Sequence, residues 1–528
     1  MKSQTIKEML ENSVKNYPDN IAFYEKKNNE YYGITYKKLY EDVIAFSNYL
    51  YMQGLEDKNI AVIGKNSYEW AVAYLATMNG LGTVVPLDKE LTKEELDNSL
   101  SRLEIGALVY SNDQAHKIDD SKYNTIKMET EMYDMIEEGK QYENLLQDKK
   151  VDPKETRVLL FTSGTTSQSK IVMLSNENIM YNINTLHQFA DIDQTDRFYS
   201  ILPMHHTFEG TGGFLLPLER GASVIHLDNL KNVSKDLLKM KPTTIIGVPR
   251  VIDLFDKKIT KEIEKKGKTK LVKYASMVTN YVPSLKKPIF KDIHEAFGGN
   301  LKNIIVGGAP CNPDVLKRLK GYGFYIVEGY GLTECAPLVA GNSKKYMKFG
   351  SVGKKLNGTD VKILNPDEDG IGEIAVKGPN VFNGYYENEE ATKNSFTDDG
   401  YFLTGDLGFI DKKGFIEIKG RSKNVIITSN GKNVYPEEIE SLIIESEYIK
   451  QAVVSQKDNV ITVDIVLVDE LLNKMKENPK FKEEIYNIMK EFIAEINKRI
   501  SDYKRIQRVE LKDKPFEETS TQKIKRYK

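Results

Sequence analysis

Between Phe161 and Lys170 the chain reads FTSGTTSQSK, hydroxyl side chains crowded around one glycine and ending on a lysine. Ser163, Thr165, Thr166, Ser167 and Ser169 offer hydroxyl donors, Gly164 lets the backbone come close, and Lys170 adds a point charge. That set suits the oxygens of a polyphosphate. Taken alone, the string fits a nucleotide-phosphate loop and a Ser/Thr-rich surface turn equally well. It is not a Walker A loop, which needs GxxxxGK[ST] opening a helix that directs its dipole at the phosphates. Here IVMLS follows Lys170 with the pattern of another strand, so the loop is expected to join two strands.

Other short strings carry chemistry only in company. LPMHHTFEGTGGFLLPL (202–218) has two adjacent histidines, which by themselves read as a packed, hydrogen-bonded pair. IIVGGAP ends an apolar run on Gly308, Ala309 and Pro310, a strand-to-loop turn. EGYGLTE (328–334) follows the strand-like GFYIV and by itself reads as a glycine-rich turn with a capping Thr. Asp406 in YFLTGDLG is by type a turn residue, and the basic TSTQKIKR (519–526) by charge is a solvated tail.

The elements that must position these strings are legible as periodicity. NIAVIG, TVVPL, GALVYS, RVLLFT, ASVIHL, TTIIGV and NIIVGG are short apolar runs, several ending in polar or glycine-rich residues. Their alternation with helical patterns predicts parallel strands covered by helices, with ligands at the strand ends. Near Asn357 the pattern changes to short strands and turns (Asn365-Pro366, Asp369-Gly370), a small β subdomain over about 350–420. The tail carries short strands and a charged helix from about Glu470 to Ile500. The expected fold is therefore α/β: a large N-terminal domain of parallel and mixed sheets over residues 1–420, a joint at 421–424, and a small α+β domain over 425–528.

The 528 residues carry a formal net charge of -2, which removes the global basic field expected of a nucleic-acid binder. Cys311 and Cys335 stand far apart without CxxC or Cys/His spacing, so no disulfide framework or structural zinc is indicated and a reducing cytoplasm fits. No segment approaches about 18 uninterrupted apolar residues, and the start lacks a signal-like apolar core. A soluble cytoplasmic protein is expected, with peripheral membrane contact left open.

Together, FTSGTTSQSK, GGAP, EGYGLTE, TGD, GRSKN (420–424) and TSTQKIKR occur in the order and approximate spacing of the acyl-adenylate-forming enzymes. The chain resembles the acyl-CoA synthetases of that superfamily, and GVPRVIDLFDKKI with the HHTFEGTGGFLLPL segment resembles its long-chain fatty acyl-CoA synthetases. Ser167, Ser169 and Ile171 stand where the family usually has glycine, proline and glycine, and Gln522 where it has glycine. The resemblance implies ATP, Mg²⁺ and CoA as cofactor and substrates beside a carboxylic acid. It implies that Thr162, Ser163, Gly164, Thr165, Thr166 and Lys170 contact the phosphates, and that Gly308, Ala309, Pro310, Glu328, Gly329, Tyr330 and Gly331 surround the adenine. Thr333 would contact the α-phosphate or acyl carboxylate, Glu334 would hold Mg²⁺, and His206 would lie beside the acyl carboxylate. Asp406 and Arg421 would hold the ribose, Lys423 would be the hinge, Gly431, Lys432 and Asn433 would meet CoA, and Lys523 would steady the charge developing at the α-phosphate. An acyl-carrier protein has the same thiol as CoA and remains an alternative acceptor. A regulatory nucleotide binder without turnover is the alternative of another class; no Walker A or kinase glycine-loop signature supports a kinase or GTPase-like switch.

Overall fold

A computed structural model describes residues 2–528 apart from 29, 163–168, 228–231, 268, 271, 273–274, 276–282, 429–431, 520–523 and 527–528. The chain divides into two compact units: 1–164, 168–360 and 377–400 in the first, and 165–167, 361–376 and 401–528 in the second.

The first unit holds two sheets. In the seven-stranded sheet the order is Gly384–Tyr385, Ile171–Ser175, Thr156–Phe161, Thr83–Leu87, Asn59–Ile63, Ile105–Tyr110 and Thr125–Lys127. Its interior is parallel, Ile60 pairing with Val84 on one side and Ala107 on the other. Such strands are covered on both faces, which is why they read as unbroken apolar runs; Ile60, Ala61, Val62 and Ile63 are fully buried. The nine-stranded sheet is parallel through Arg197–Ser200, Ser223–His226, Thr244–Gly247, Asn303–Gly307 and Tyr325–Gly331, with antiparallel strands at its margins.

Aromatic side chains lock the two sheets together. Trp70 and Tyr74, on the helix Tyr68–Ala76 that follows the strand Asn59–Ile63, stack with ring centroids 5.5 Å apart. Phe214 sets its ring edge-on to both, and its ring centroid is 6.2 Å from that of Phe23 on a strand of the larger sheet. Such pairs add to the large apolar area each ring buries.

In the second unit the strands Gly372–Lys377, Phe402–Ile410 and Ile416–Arg421 pair antiparallel. A three-stranded sheet of Ile449–Lys457, Val460–Leu467 and Arg508–Leu511 packs its apolar face on helices through Ile439, Ile443, Leu472, Met489 and Ile493. The charged helix expected over about 470–500 is in fact two helices, Asp469–Glu477 and Pro479–Arg499. The break is local chemistry: Pro479 has no amide proton to continue the first helix, and Asn478 caps the second by accepting from the amides of Lys480 and Phe481. No helix among the described residues is long and apolar enough to cross a membrane.

Candidate active site

The loop does join two strands. Thr156–Phe161 and Ile171–Ser175 run antiparallel with Phe161 opposite Ile171, and the Thr162 amide closes the pair by donating to the Lys170 carbonyl at 2.9 Å. Ser163, Gly164, Thr165, Thr166 and Ser167 lie outside the described residues. Ile171, where the family favours glycine, is a buried strand residue in the core cluster that includes Leu159. Ser169 is held from outside, its carbonyl accepting from an Arg102 Nη1 at 2.6 Å.

Lys170 points back into the unit. Its ammonium lies 4.2 Å from the ring centroid of Tyr385, a cation–π contact worth about 0.5–2 kcal/mol depending on solvation. The Tyr385 hydroxyl donates to Glu334 Oε1 at 3.0 Å. Burial, with the Glu334 charge added, holds that phenol well above its ordinary pKa, so it stays a donor. Tyr385 was not among the expected site residues; it reaches the site because the short strand Gly384–Tyr385 adds beside Ile171–Ser175, Tyr385 opposite Val172.

Thr333 and Glu334 sit on one tight turn, Thr333–Cys335, at the end of the strand Tyr325–Gly331. The turn is clamped on several sides. Asn182, fully buried, donates to the Cys335 carbonyl at 2.9 Å and accepts from the Leu338 amide at 3.1 Å. Thr211 donates to the Ala336 carbonyl, and the Phe382 amide donates to the Glu334 carbonyl. Asn182 too escaped the sequence reading, since a lone Asn inside a helical pattern carries no mark of its partners.

Strand pairing aligns the two strings expected around adenine. Asn303–Gly307 and Tyr325–Gly331 are parallel with Gly307 opposite Gly329, so Gly308, Ala309 and Pro310 leave the sheet, exposed, beside Tyr330 and Gly331. Gly308 has φ +81°, a region open to glycine and strained for other residues. Tyr330 is buried. Glu328 is also buried, beside the Cys311 thiol, and burial pushes its carboxyl up to about 8.

His205 and His206 face one another with ring centroids 4.2 Å apart. Their loop is pinned by Asn66, whose amide donates to the Leu202 carbonyl at 2.7 Å and whose carbonyl accepts from the Met204 amide at 2.9 Å. Glu209, one turn beyond His206, is fully buried, and burial pushes its carboxyl up to about 8 from 4.5. Below pH 4.5 folded and unfolded chains both hold this proton; between there and about 8 only the folded chain does. Stability is therefore lost as pH rises through that window, at ~1.4 kcal/mol per pH unit for one such proton. Glu209→Gln removes the slope: urea midpoints measured at pH 5 and pH 8 should fall less in the variant than in the parent chain, and equal falls would show that Glu209 is ionised in the folded protein.

In the second unit, Asp406 and Arg421 are opposite one another on paired strands, with Arg421 Nε 2.8 Å from Asp406 Oδ1. Arg421 also donates to the Thr404 carbonyl at 3.1 Å, and Thr404 donates to the Ile374 carbonyl at 2.7 Å, so the carboxylate sits on a fixed frame. Lys423 is exposed on the turn Ser422–Asn424. Lys432 and Asn433 are exposed where the hairpin of Ile426–Ile427 and Asn433–Val434 closes; Gly431 lies outside the described residues. Lys523 lies outside them as well.

Glu334 offers carboxylate oxygen, the ligand type taken by a hard cation that keeps phosphate oxygens and water as its other ligands. The first unit thus sets the Lys170 ammonium and the Glu334 carboxylate on one phenol, that of Tyr385, and the second pairs Asp406 with Arg421.

Residues 10–386 match the AMP-binding enzyme family and residues 423–528 the AMP-binding enzyme C-terminal domain. Fatty acyl-CoA synthetase B of Dictyostelium discoideum is 27% identical over 516 residues, covering 87% of this chain and 76% of its own. A chloroplastic long-chain-fatty-acid–[acyl-carrier-protein] ligase of Arabidopsis thaliana is 26% identical, covering 86% and 75%. The crystal structure of ATP-bound MatB from Rhodopseudomonas palustris shares the fold with a TM-score of 0.76 at 24% identity, covering 99% of this chain and 97% of its own.

Proposed function

The chain belongs to the AMP-binding enzyme family, and from that premise we propose that it activates a medium- or long-chain fatty acid with ATP and passes the acyl group to coenzyme A. It is an AMP-forming acid–thiol ligase. In the first half-reaction a carboxylate oxygen bonds to the α-phosphorus of ATP and the bond to the bridging oxygen of pyrophosphate breaks. In the second, a thiol sulfur attacks the acyl carbon of the mixed anhydride and AMP leaves.

The observation that carries the reading is the array Lys170, Tyr385 and Glu334, which links the mouth of the phosphate loop to the carboxylate on the Thr333 turn. In this reading Thr162 to Thr166 and Lys170 hold the phosphates, Gly308 to Pro310 and Glu328 to Gly331 border the adenine, and Asp406 and Arg421 take the ribose. Glu334 would hold Mg²⁺, whose charge offsets that of the phosphate oxygens. Thr333 and His206 face the reacting carboxylate, and Lys523 completes the positive field. Residues 425–528 then turn about Lys423, within 421–424, so that Gly431, Lys432 and Asn433 meet the pantetheine arm. The exposed turn at Lys423 supports such a joint, since hinges are a few residues at element ends.

A fatty acid is supported by the names of the relatives and by the segment after His206, where Phe214, Leu215 and Leu218 are buried and no Lys or Arg precedes Arg220 to meet a second carboxylate. A carrier protein's pantetheine thiol is the second acceptor reading, favoured by the Arabidopsis relative. The test is acid-dependent ATP–pyrophosphate exchange without CoA over saturated acids of graded length, benzoate and acetate. Exchange peaking at a medium or long aliphatic acid is expected, followed by AMP release on adding CoA in preference to carrier protein. Absence of exchange alongside measurable ATP binding would turn the reading toward a regulatory nucleotide binder.

A further inference from the structure

We infer that Asp88, His205 and His206 form a binding site for a zinc-class divalent ion, and that its occupation blocks acid activation. One ligand atom from each residue can be chosen so that all lie within 4.8 Å of one another. Ions of this class bind imidazole nitrogen and carboxylate oxygen at ~2.0–2.2 Å, so ligands in a tetrahedral set stand about 3.4 Å apart. His205 Nε2 and Asp88 Oδ2 are already 3.6 Å apart. The remaining closure is small enough for side-chain rotation.

The geometry around His205 points to a ligand. The side chain is 8% exposed, and its Nε2 has no hydrogen-bond partner although it is fully buried. Leaving such an atom unpaired costs about 1–3 kcal/mol, a cost that coordination would remove. Asp88 is aimed at it from the end of the strand Thr83–Leu87, its other oxygen Oδ1 being fixed by the Glu90 amide at 2.9 Å. The histidines are preset by the loop that Asn66 pins. Two imidazoles and one carboxylate favour zinc-like ions over Mg²⁺, which prefers oxygen ligands, so the Mg²⁺ that accompanies ATP does not compete here. Three protein ligands leave a fourth position open. The blocking role rests on the proposed placement of His206 beside the acyl carboxylate: a metal there engages that imidazole and offers its open position to the acid's own oxygen.

The experiment uses the full, untagged chain stripped by chelator and titrated with Co²⁺ as a spectroscopic probe, with Zn²⁺ displacing it. One equivalent should give the visible bands of a low-coordinate ion, and His205→Ala and Asp88→Asn should each weaken Co²⁺ binding by at least about tenfold. Retained ATP binding verifies that the variants fold. In parallel, Zn²⁺ at saturating Mg²⁺ should cut acid-dependent exchange at least about tenfold in the parent chain, reversed by chelator, with the variants spared relative to their own zinc-free rates. No bands, or Co²⁺ affinity unchanged in both variants, overturns the site. Site-dependent binding without any effect on exchange overturns the blocking role. Failure of every acid to support exchange tells against the catalytic reading alone, because the Co²⁺ titration still decides the site.

Discussion

Lys523→Ala is expected to slow acid-dependent pyrophosphate exchange by about 10²–10³-fold, the ~2.7–4 kcal/mol that a single preorganised donor to a developing oxyanion supplies. Thioester formation from supplied acyl-adenylate should change far less, because in the proposed rotation of residues 425–528 Lys523 has been withdrawn from the α-phosphate before the thiol attacks. Lys523 itself lies outside the described residues, but the chain on both sides of it is anchored. The Phe516 amide donates to Gln451 Oε1 at 2.8 Å, Glu518 bridges antiparallel to Ile524, and the Lys525 amide donates to the Glu517 carbonyl at 2.8 Å. Arg526 pairs with Glu440, whose Oε1 accepts from the Val454 amide at 2.6 Å. Burial pushes the Glu440 carboxyl up to about 7 even with Arg526 opposing it. Single-turnover assays of the two half-reactions decide the matter: comparable losses in both would mean that the lysine acts on folding or on ATP binding as a whole.

Glu334→Gln is expected to lower adenylation by about 100-fold, ~3 kcal/mol, and to raise the Mg²⁺ concentration needed for half-maximal exchange. The variant keeps an oxygen that can accept from Tyr385, so the change isolates the negative charge from the hydrogen bond. Tyr385→Phe makes the complementary cut. It removes a bond of 3.0 Å to the carboxylate and should cost about tenfold, in line with ~1.5 kcal/mol for a hydrogen bond to a charged group. If Phe at 385 cost as much as Gln at 334, positioning rather than charge would dominate at this turn. If the Mg²⁺ requirement of the Gln variant did not move, Glu334 would not be the metal's carboxylate.

Placement was legible in the sequence wherever it is written in consecutive residues. IVMLS as a strand and Gly308 at a strand end follow from patterns within a few residues, whereas the placement of Asp406 opposite Arg421 needed the strand pairing itself. Tyr385 was not legible, because its partner Glu334 is 51 positions away and the link exists only once a two-residue strand adds to an edge. The same applies to Asn182, which reaches Cys335 across 153 positions, and to Asp88, brought to His205 by the order of strands. Glu209 carries no mark of its burial in the sequence, since carboxyls are mostly exposed, yet it lies fully buried just ahead of the wide turns of Gly210–Leu215. Helix length was misjudged at Asn478 because charge periodicity continued through a residue pair that ends one helix and caps the next.

The pairing of Thr162 with Lys170 bears on how the segment between them can change over evolutionary time. Chain closure there is marked by a backbone hydrogen bond between strand ends, and Ile171 begins a buried strand directly after it. Adding two residues to such a loop would raise its closure entropy by only about 0.2 kcal/mol. Length between Thr162 and Lys170 is thus only weakly constrained by closure of the two strands, and lineages can vary it while the paired strands stay the same.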